Sequence, residues 1–126
     1  SISTICATTI QALKTLTDAD TVLIGGMDRG IDYGELIQFL SGCPVPHIVL
    51  MEATGRRIYE EIGRDYPEFA GRDRLILADH LEAAVRAARS VTRPGHSCVL
   101  SPAAASYGIF RNFEERGEAF SRYVFE

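Results

Sequence analysis

Two serines, an arginine and two phenylalanines crowd the stretch Leu100-Ser101-Pro102-Ala103-Ala104-Ala105-Ser106-Tyr107-Gly108-Ile109-Phe110-Arg111-Asn112-Phe113, directly after the apolar run Ser97–Leu100. A serine hydroxyl acts either as a nucleophile beside a base or as a hydrogen-bonding group for a ligand. Neither Ser101 nor Ser106 sits in a G-x-S-x-G elbow, so hydrolase chemistry is disfavoured. Hydrogen bonding to a carboxylate needs no activation, and the exit of a strand is where open α/β sheets hold ligands. Ser106 fits that role, whereas Ser101 reads as shaping the strand exit. Phe110 and Phe113 read first as core anchors and only second as stacking platforms.

A second candidate is Gly25-Gly26-Met27-Asp28-Arg29-Gly30-Ile31-Asp32, which leaves a strand and opens a helix. Free backbone N–H groups and the helix dipole favour an anion there, and Arg29 would add charge. The same residues also suit a plain tight turn with a solvated arginine. Gly25 to Gly30 has the glycine spacing of a P-loop, but Ile31-Asp32 replaces its Lys-Ser/Thr, and GxGxxG is absent. His47, His80 and His96 are widely separated and lack clustered Cys or carboxylate partners, so no metal set emerges and all three read as structural or exposed. Glu60-Glu61 needs no function, and Glu114-Glu115-Arg116 reads as a solvated helix start.

The elements that must position these groups alternate along the chain. A first helix follows the hydroxyls of Ser1 to Thr4, with Ile5, Ile10, Leu13 and Leu16 on roughly one face, and Asp18-Ala19-Asp20 breaks it. Strands are predicted at Thr21–Ile24, His47–Met51, Arg74–Leu77 and Ser97–Leu100. Between them come helices at Tyr33–Leu40, with Leu36, Ile37 and Leu40 inward, and at Ala53–Gly63, with Ile58 and Ile62 inward. Tyr66 to Asp73 reads as a loop. Asp79 would cap a helix whose Leu81, Ala84, Val85 and Ala88 face the core, and Phe113, Gly117, Phe120 and Val124 would mark a final amphipathic helix. This pattern is α/β: a three-layer, mainly parallel sheet with helices on both faces.

The 126 residues suit one domain, 1–126, with a core that needs no staples. A net charge of -4 and a single lysine, Lys14, argue against a nucleic-acid partner. Cys6, Cys43 and Cys98 form neither a disulfide framework nor a zinc motif, and no apolar run suits a membrane span; a reducing cytoplasmic setting is expected. The chain opens at a helix entry, as though cut from something longer.

Three stretches together resemble the Mur ligases of peptidoglycan synthesis. The opening Ser1-Ile2-Ser3-Thr4 is similar to the end of the family's D-S-x-x-T segment. Gly25 to Tyr33 resembles its glycine-rich motif, and Leu100 to Gly117 resembles its closing S-P-A…N-F-E-x-R-G run. Within the family the resemblance is greatest to the D-glutamate-adding branch, with other Mur ligases, folylpolyglutamate-type ligases or a non-catalytic ligand-binding module as alternatives. It implies the Rossmann-like C-terminal domain, with the N-terminal UDP-binding domain and the central ATPase domain absent from this chain. It further implies an ATP-dependent ligase that joins D-glutamate to UDP-N-acetylmuramoyl-L-alanine through an acyl phosphate, with ATP and Mg2+ bound mainly by the absent domains. By motif position, Thr4 and Ser106 would contact D-glutamate by hydroxyl, Arg29 by charge and Phe113 through its backbone, with Tyr107 adjacent. Arg29 stands where some relatives carry lysine, and a planar fork suits a carboxylate. Gly108 stands where Asp is common. No catalytic or metal-binding residue is expected in this chain, and the isolated domain is expected to be inactive.

Overall fold

Consecutive apolar residues such as Val22-Leu23-Ile24 and Ile48-Val49-Leu50-Met51 are fully buried, which is possible only if both faces of their sheet are covered. The computed structural model describes residues 4–28, 30–71, 73–101, 113–116 and 120–124. The strands are β1 (Ala19–Gly25), β2 (His47–Met51), β3 (Leu75–Ala78), β4 (Ser97–Leu100), β5 (Phe113–Arg116) and β6 (Phe120–Val124). They lie in the order β3-β2-β1-β4-β6-β5. Strands β1 to β4 are mutually parallel, β6 joins β4 antiparallel, and β5 joins β6 antiparallel.

The helices are α1 (Thr4–Thr15), α2 (Gly34–Gly42), α3 (Glu52–Asp65), α4 (Pro67–Ala70) and α5 (Leu81–Val91). Strand alternation divides the core in two. Val22, Ile24, Ile48, Leu50 and Val99 pack with Cys6 and Leu13 of α1, Leu36 and Leu40 of α2, Ile58 and Ile62 of α3, and Phe69 of α4. Leu23, Val49, Met51, Cys98 and Leu100 pack with Ala84 and Ala88 of α5. The chain therefore winds β1-α2-β2-α3-β3 along one face and returns through α5 on the other, so β4 settles on the far side of β1. This is a Rossmann-like α/β arrangement, as the alternating pattern predicts. Small residues let the layers approach. A Cβ on Gly55 would stand 2.6 Å from the Leu50 backbone carbon, and one on Gly25 would stand 2.6 Å from the Met51 carbonyl oxygen.

Several expectations change. The predicted final helix is replaced by β5 and β6: helical spacing of Phe113, Gly117, Phe120 and Val124 competes with aromatic and β-branched content, and β4 offers an edge that pairing satisfies. Glu114-Glu115-Arg116 accordingly lies in β5 and not at a helix start. The predicted loop Tyr66–Asp73 contains α4, which Pro67 starts with its preset φ and Phe69 anchors by burial. Asp79 does not cap α5; the His80 ring accepts the Ala83 N–H at 3.2 Å instead. In α1, Leu13 is buried and Ile10 and Leu16 pack against the core as predicted, and Cys6, Thr9 and Ala12 join them on the inward face.

At the amino end of the sheet, charges tie the ladder together. A register shift in the β1–β4 pairing leaves Asp20 between Ala19 and Thr21 without a register partner on β4. Its buried carboxylate accepts hydrogen bonds from Arg93 N–H, Nε and a terminal nitrogen at 2.8–2.9 Å, and His96 Nδ1 stands 3.2 Å away. Arg93 donation holds Asp20 well below the usual carboxylate range, against the opposing effect of burial. Arg122 of β6 reaches Ser97 Oγ at 2.6 Å and Asp18 at 2.7 Å, which fastens the antiparallel edge to the start of the parallel sheet. Arg74 caps the end of α2 by donating to the carbonyls of Leu40, Cys43 and Val45 while stacking on Phe69.

Candidate functional site

The strand order reverses between β1 and β4: β1 is followed in space by β2 and β3 on one side and by β4 on the other. Chain segments leaving the carboxyl ends of these two strands diverge, and the crevice between them is the usual ligand position in such sheets. Both segments singled out in the sequence leave from here. Gly25-Gly26 follows β1 and Ser101 follows β4, and the Ser101 N–H donates to the Leu23 carbonyl at 3.0 Å, which locks the two exits side by side.

The β1–α2 loop is held on both sides of position 29. Asp28 accepts the Gly30 N–H at 2.9 Å and a guanidinium hydrogen of Arg57 at 3.0 Å. The Gly30 amide, followed by Arg57, keeps the Asp28 carboxyl below its ordinary range. Thr54 of α3 donates its hydroxyl to the Met27 carbonyl at 2.9 Å and its N–H to the Gly26 carbonyl at 3.1 Å. Arg57 also lies 5.5 Å above the Tyr33 ring, and burial raises the Tyr33 phenol. Gly26 and Gly30 adopt φ of 122° and 72°, conformations that glycine reaches without strain. At the carboxyl end of β2, Glu52 opens α3 with φ 59°, a left-handed conformation that is uncommon for glutamate.

Thr54, Arg57 and Tyr33 were not singled out in the sequence as site residues. Each acts through a contact across 21 residues or more of chain, such as Asp28 to Arg57, and sequence spacing alone carries no signal for it.

Thr4 is the first residue of α1. Because α1 runs toward the amino end of β1, its start lies at the carboxyl end of the sheet, and the Cys6 thiol donates to the Asp32 carbonyl at 3.7 Å across to the β1–α2 loop. Phe113 opens β5 opposite Tyr123, which pairs with Cys98, so the register sets it near the amino end of β4 and two strands away. The described backbone thus gathers Thr4 and the loop carrying position 29, but does not bring Phe113 beside them. Arg29, Ser106 and Tyr107 lie outside the described residues, as do Ser101's successors through 112.

The β1–α2 loop lacks the Lys-Ser/Thr that a P-loop uses to hold nucleotide phosphate. The Gly30 N–H that would cradle a phosphate is taken by Asp28, whose own negative charge stands at the loop. Among the described residues no group of His, Cys, Asp and Glu could hold a metal ion. The buried Cys98 thiol, pushed up to about 12 by burial, is unsuited to nucleophilic work. No described helix is long and apolar enough to cross a membrane.

No protein-family profile matches the chain, and no solved structure matches it. Curated relatives do. The chain is 36% identical over 118 residues to a UDP-N-acetylmuramoylalanine–D-glutamate ligase of Thermoanaerobacter sp. (strain X514), covering 93% of this chain and 25% of the relative. It is 38% identical over 117 residues to the ligase of the same name in Rubrobacter xylanophilus, covering 92% and 25%. A UDP-N-acetylmuramoyl-L-alanine–L-glutamate ligase of Micromonospora sp. is 42% identical over 106 residues, covering 82% and 22%. The chain spans about a quarter of the length of the curated relatives it matches.

Proposed function

We propose that this chain, which is similar to a quarter of the length of UDP-N-acetylmuramoylalanine–D-glutamate ligases, is their C-terminal domain, the one that positions glutamate in a peptidoglycan-precursor ligase. The observation that supports this is the crevice between the β1 and β4 exits. Two of the motifs shared with the family leave adjacent strands there, and the start of α1 lies at the same end. In this reading the domain is a single unit, 1–126, acting in cis with a central ATPase domain and a UDP-binding domain.

The reaction is amide-bond formation with ATP as co-substrate. The γ-phosphate passes to the carboxylate of UDP-N-acetylmuramoyl-L-alanine, giving ADP and an acyl phosphate. The glutamate amine attacks the acyl carbon, phosphate leaves with the C–O bonding pair, and the new amide nitrogen sheds a proton. The task left to this domain is orientation: two substrate carboxylates must be neutralised so that the amine points at the acyl carbon. Arg29 would meet a carboxylate through a planar fork, while Thr4 and Ser106 would donate hydroxyl hydrogens and Tyr107 would stand next to them. Phe113 enters only through the family motif. Asp28, held by Arg57 and Gly30, serves to fix the loop on both sides of Arg29. In this reading ATP and Mg2+ are held by the other domains, since the β1–α2 loop lacks the Lys-Ser/Thr of a P-loop. Closure of this domain over the ATP site would complete the active site, and a cytoplasmic setting belongs to this reading.

A second reading, L-glutamate in place of D-glutamate, is favoured by the 42% identity to the Micromonospora ligase. Steady-state kinetics of the full-length ligase with each enantiomer separate the two. Arg29→Ala and Ser106→Ala are expected to raise the KM for the preferred glutamate about tenfold or more, as loss of a charge-assisted hydrogen bond does. Unchanged glutamate kinetics in both variants would sink the assigned site.

A further inference from the structure

Ser101 is the first residue beyond β4, and it is almost wholly buried, at 1% exposure. Its N–H is committed to the Leu23 carbonyl, but its Oγ has no hydrogen-bond partner among the described residues. A serine that merely shapes a turn or strand exit commonly bonds its hydroxyl to nearby backbone, and among the described residues this one does not. Burying an unsatisfied hydroxyl is unfavourable, and such a group in a native fold calls for a missing partner.

The direction of the side chain indicates where that partner sits. Leu100 pairs with Leu23, and both face α5. The next residue along each strand turns to the opposite face by pleat alternation, so Ser101 accompanies Ile24. Ile24 packs in the cluster that contains Cys6, near the start of α1, and Tyr33, at the end of the β1–α2 loop. Ser101 Oγ is therefore turned to the side of the crevice on which the start of α1 and the β1–α2 loop meet.

We propose that Ser101 is a substrate-positioning residue whose hydroxyl donates a hydrogen bond to a carboxylate of the amino acid bound at the β1–β4 crevice. This rests on the glutamate-positioning reading above and extends it to a residue that the motif comparison leaves as a strand-exit residue. A hydroxyl fixed by the β1–β4 ladder is more rigid than one carried by a loop, so its contribution is to fix orientation at low entropic cost.

The test uses the full-length ligase carrying this domain, with Ser101→Ala and Ser101→Thr. Ser101→Ala is expected to raise the KM for glutamate about tenfold with kcat and the KM of the other substrates little changed, while Tm is unchanged or higher because an unsatisfied buried hydroxyl has been removed. Ser101→Thr, which keeps the hydroxyl, is expected to recover most of the glutamate affinity. An unchanged glutamate KM in Ser101→Ala overturns the proposal. So does a fall in Tm with unchanged KM, the signature of a hydroxyl bonded within the fold or to a buried water. A wild-type ligase indifferent to glutamate overturns the domain reading itself, and with it this one.

Discussion

Asp20 illustrates how one buried charge depends on groups far along the chain. Its partners Arg93 and His96 lie more than seventy residues away in sequence, and the register shift in the β1–β4 ladder at its position is invisible in Asp18-Ala19-Asp20, which reads only as a helix break. Its folded-state pKa lies below the ordinary value of 3.8, so its stabilising contribution is complete above about pH 5 and is lost progressively as the pH falls toward the folded value. Thermal unfolding of Asp20→Asn should therefore show a Tm about 5 °C below wild type near pH 7. That gap should hold to about pH 5 and narrow progressively below about pH 4, as the unfolded chain takes up the proton while the folded carboxylate stays ionised. A gap independent of pH would show that the charge is not what matters there. Arg57 teaches the same lesson at the candidate site: sequence reading finds Asp28 and Arg29, but the residue that holds Asp28 in place comes from another helix.

At the scale of elements, the parallel strands were legible because each is a short apolar run bounded by turn residues. His47–Met51 and Ser97–Leu100 occur as predicted, residue for residue. The antiparallel edge was not legible, since Phe113 to Val124 satisfies both a helical and a strand-like spacing. What selects strands is the open edge of β4, a property of the assembled sheet. The Arg122 contacts to Ser97 and Asp18 then hold that edge in register. Arg122→Ala should speed amide hydrogen exchange in Phe120–Val124 by about tenfold relative to the β1 amides, because local opening of the edge no longer breaks a charge-assisted contact. Equal exchange in wild type and variant would remove Arg122 from that role.

For the whole molecule, topology makes the site. Neither the glycine loop nor the serine segment forms a pocket by itself; the return of the chain through α5 sets β4 against β1 and brings their exits together. The 126-residue chain supplies no P-loop and no metal-binding cluster among its described residues. Incubated alone with ATP, UDP-N-acetylmuramoyl-L-alanine and glutamate, it is expected to release no ADP above background, whereas the full-length protein is expected to release ADP in step with amide formation. Turnover by the isolated chain would refute the division of labour proposed here. The sequence by itself determined the α/β class, the core positions of the parallel strands and the motif resemblance, because these depend on local periodicity and residue type. Tertiary structure alone decided the strand order, the antiparallel edge, the pinning of the β1–α2 loop by Thr54 and Arg57, and the buried Ser101 hydroxyl without a partner among the described residues. Each of those depends on residues distant in the chain meeting in space, and on a sheet edge whose need for a partner exists only after β1 and β4 have paired.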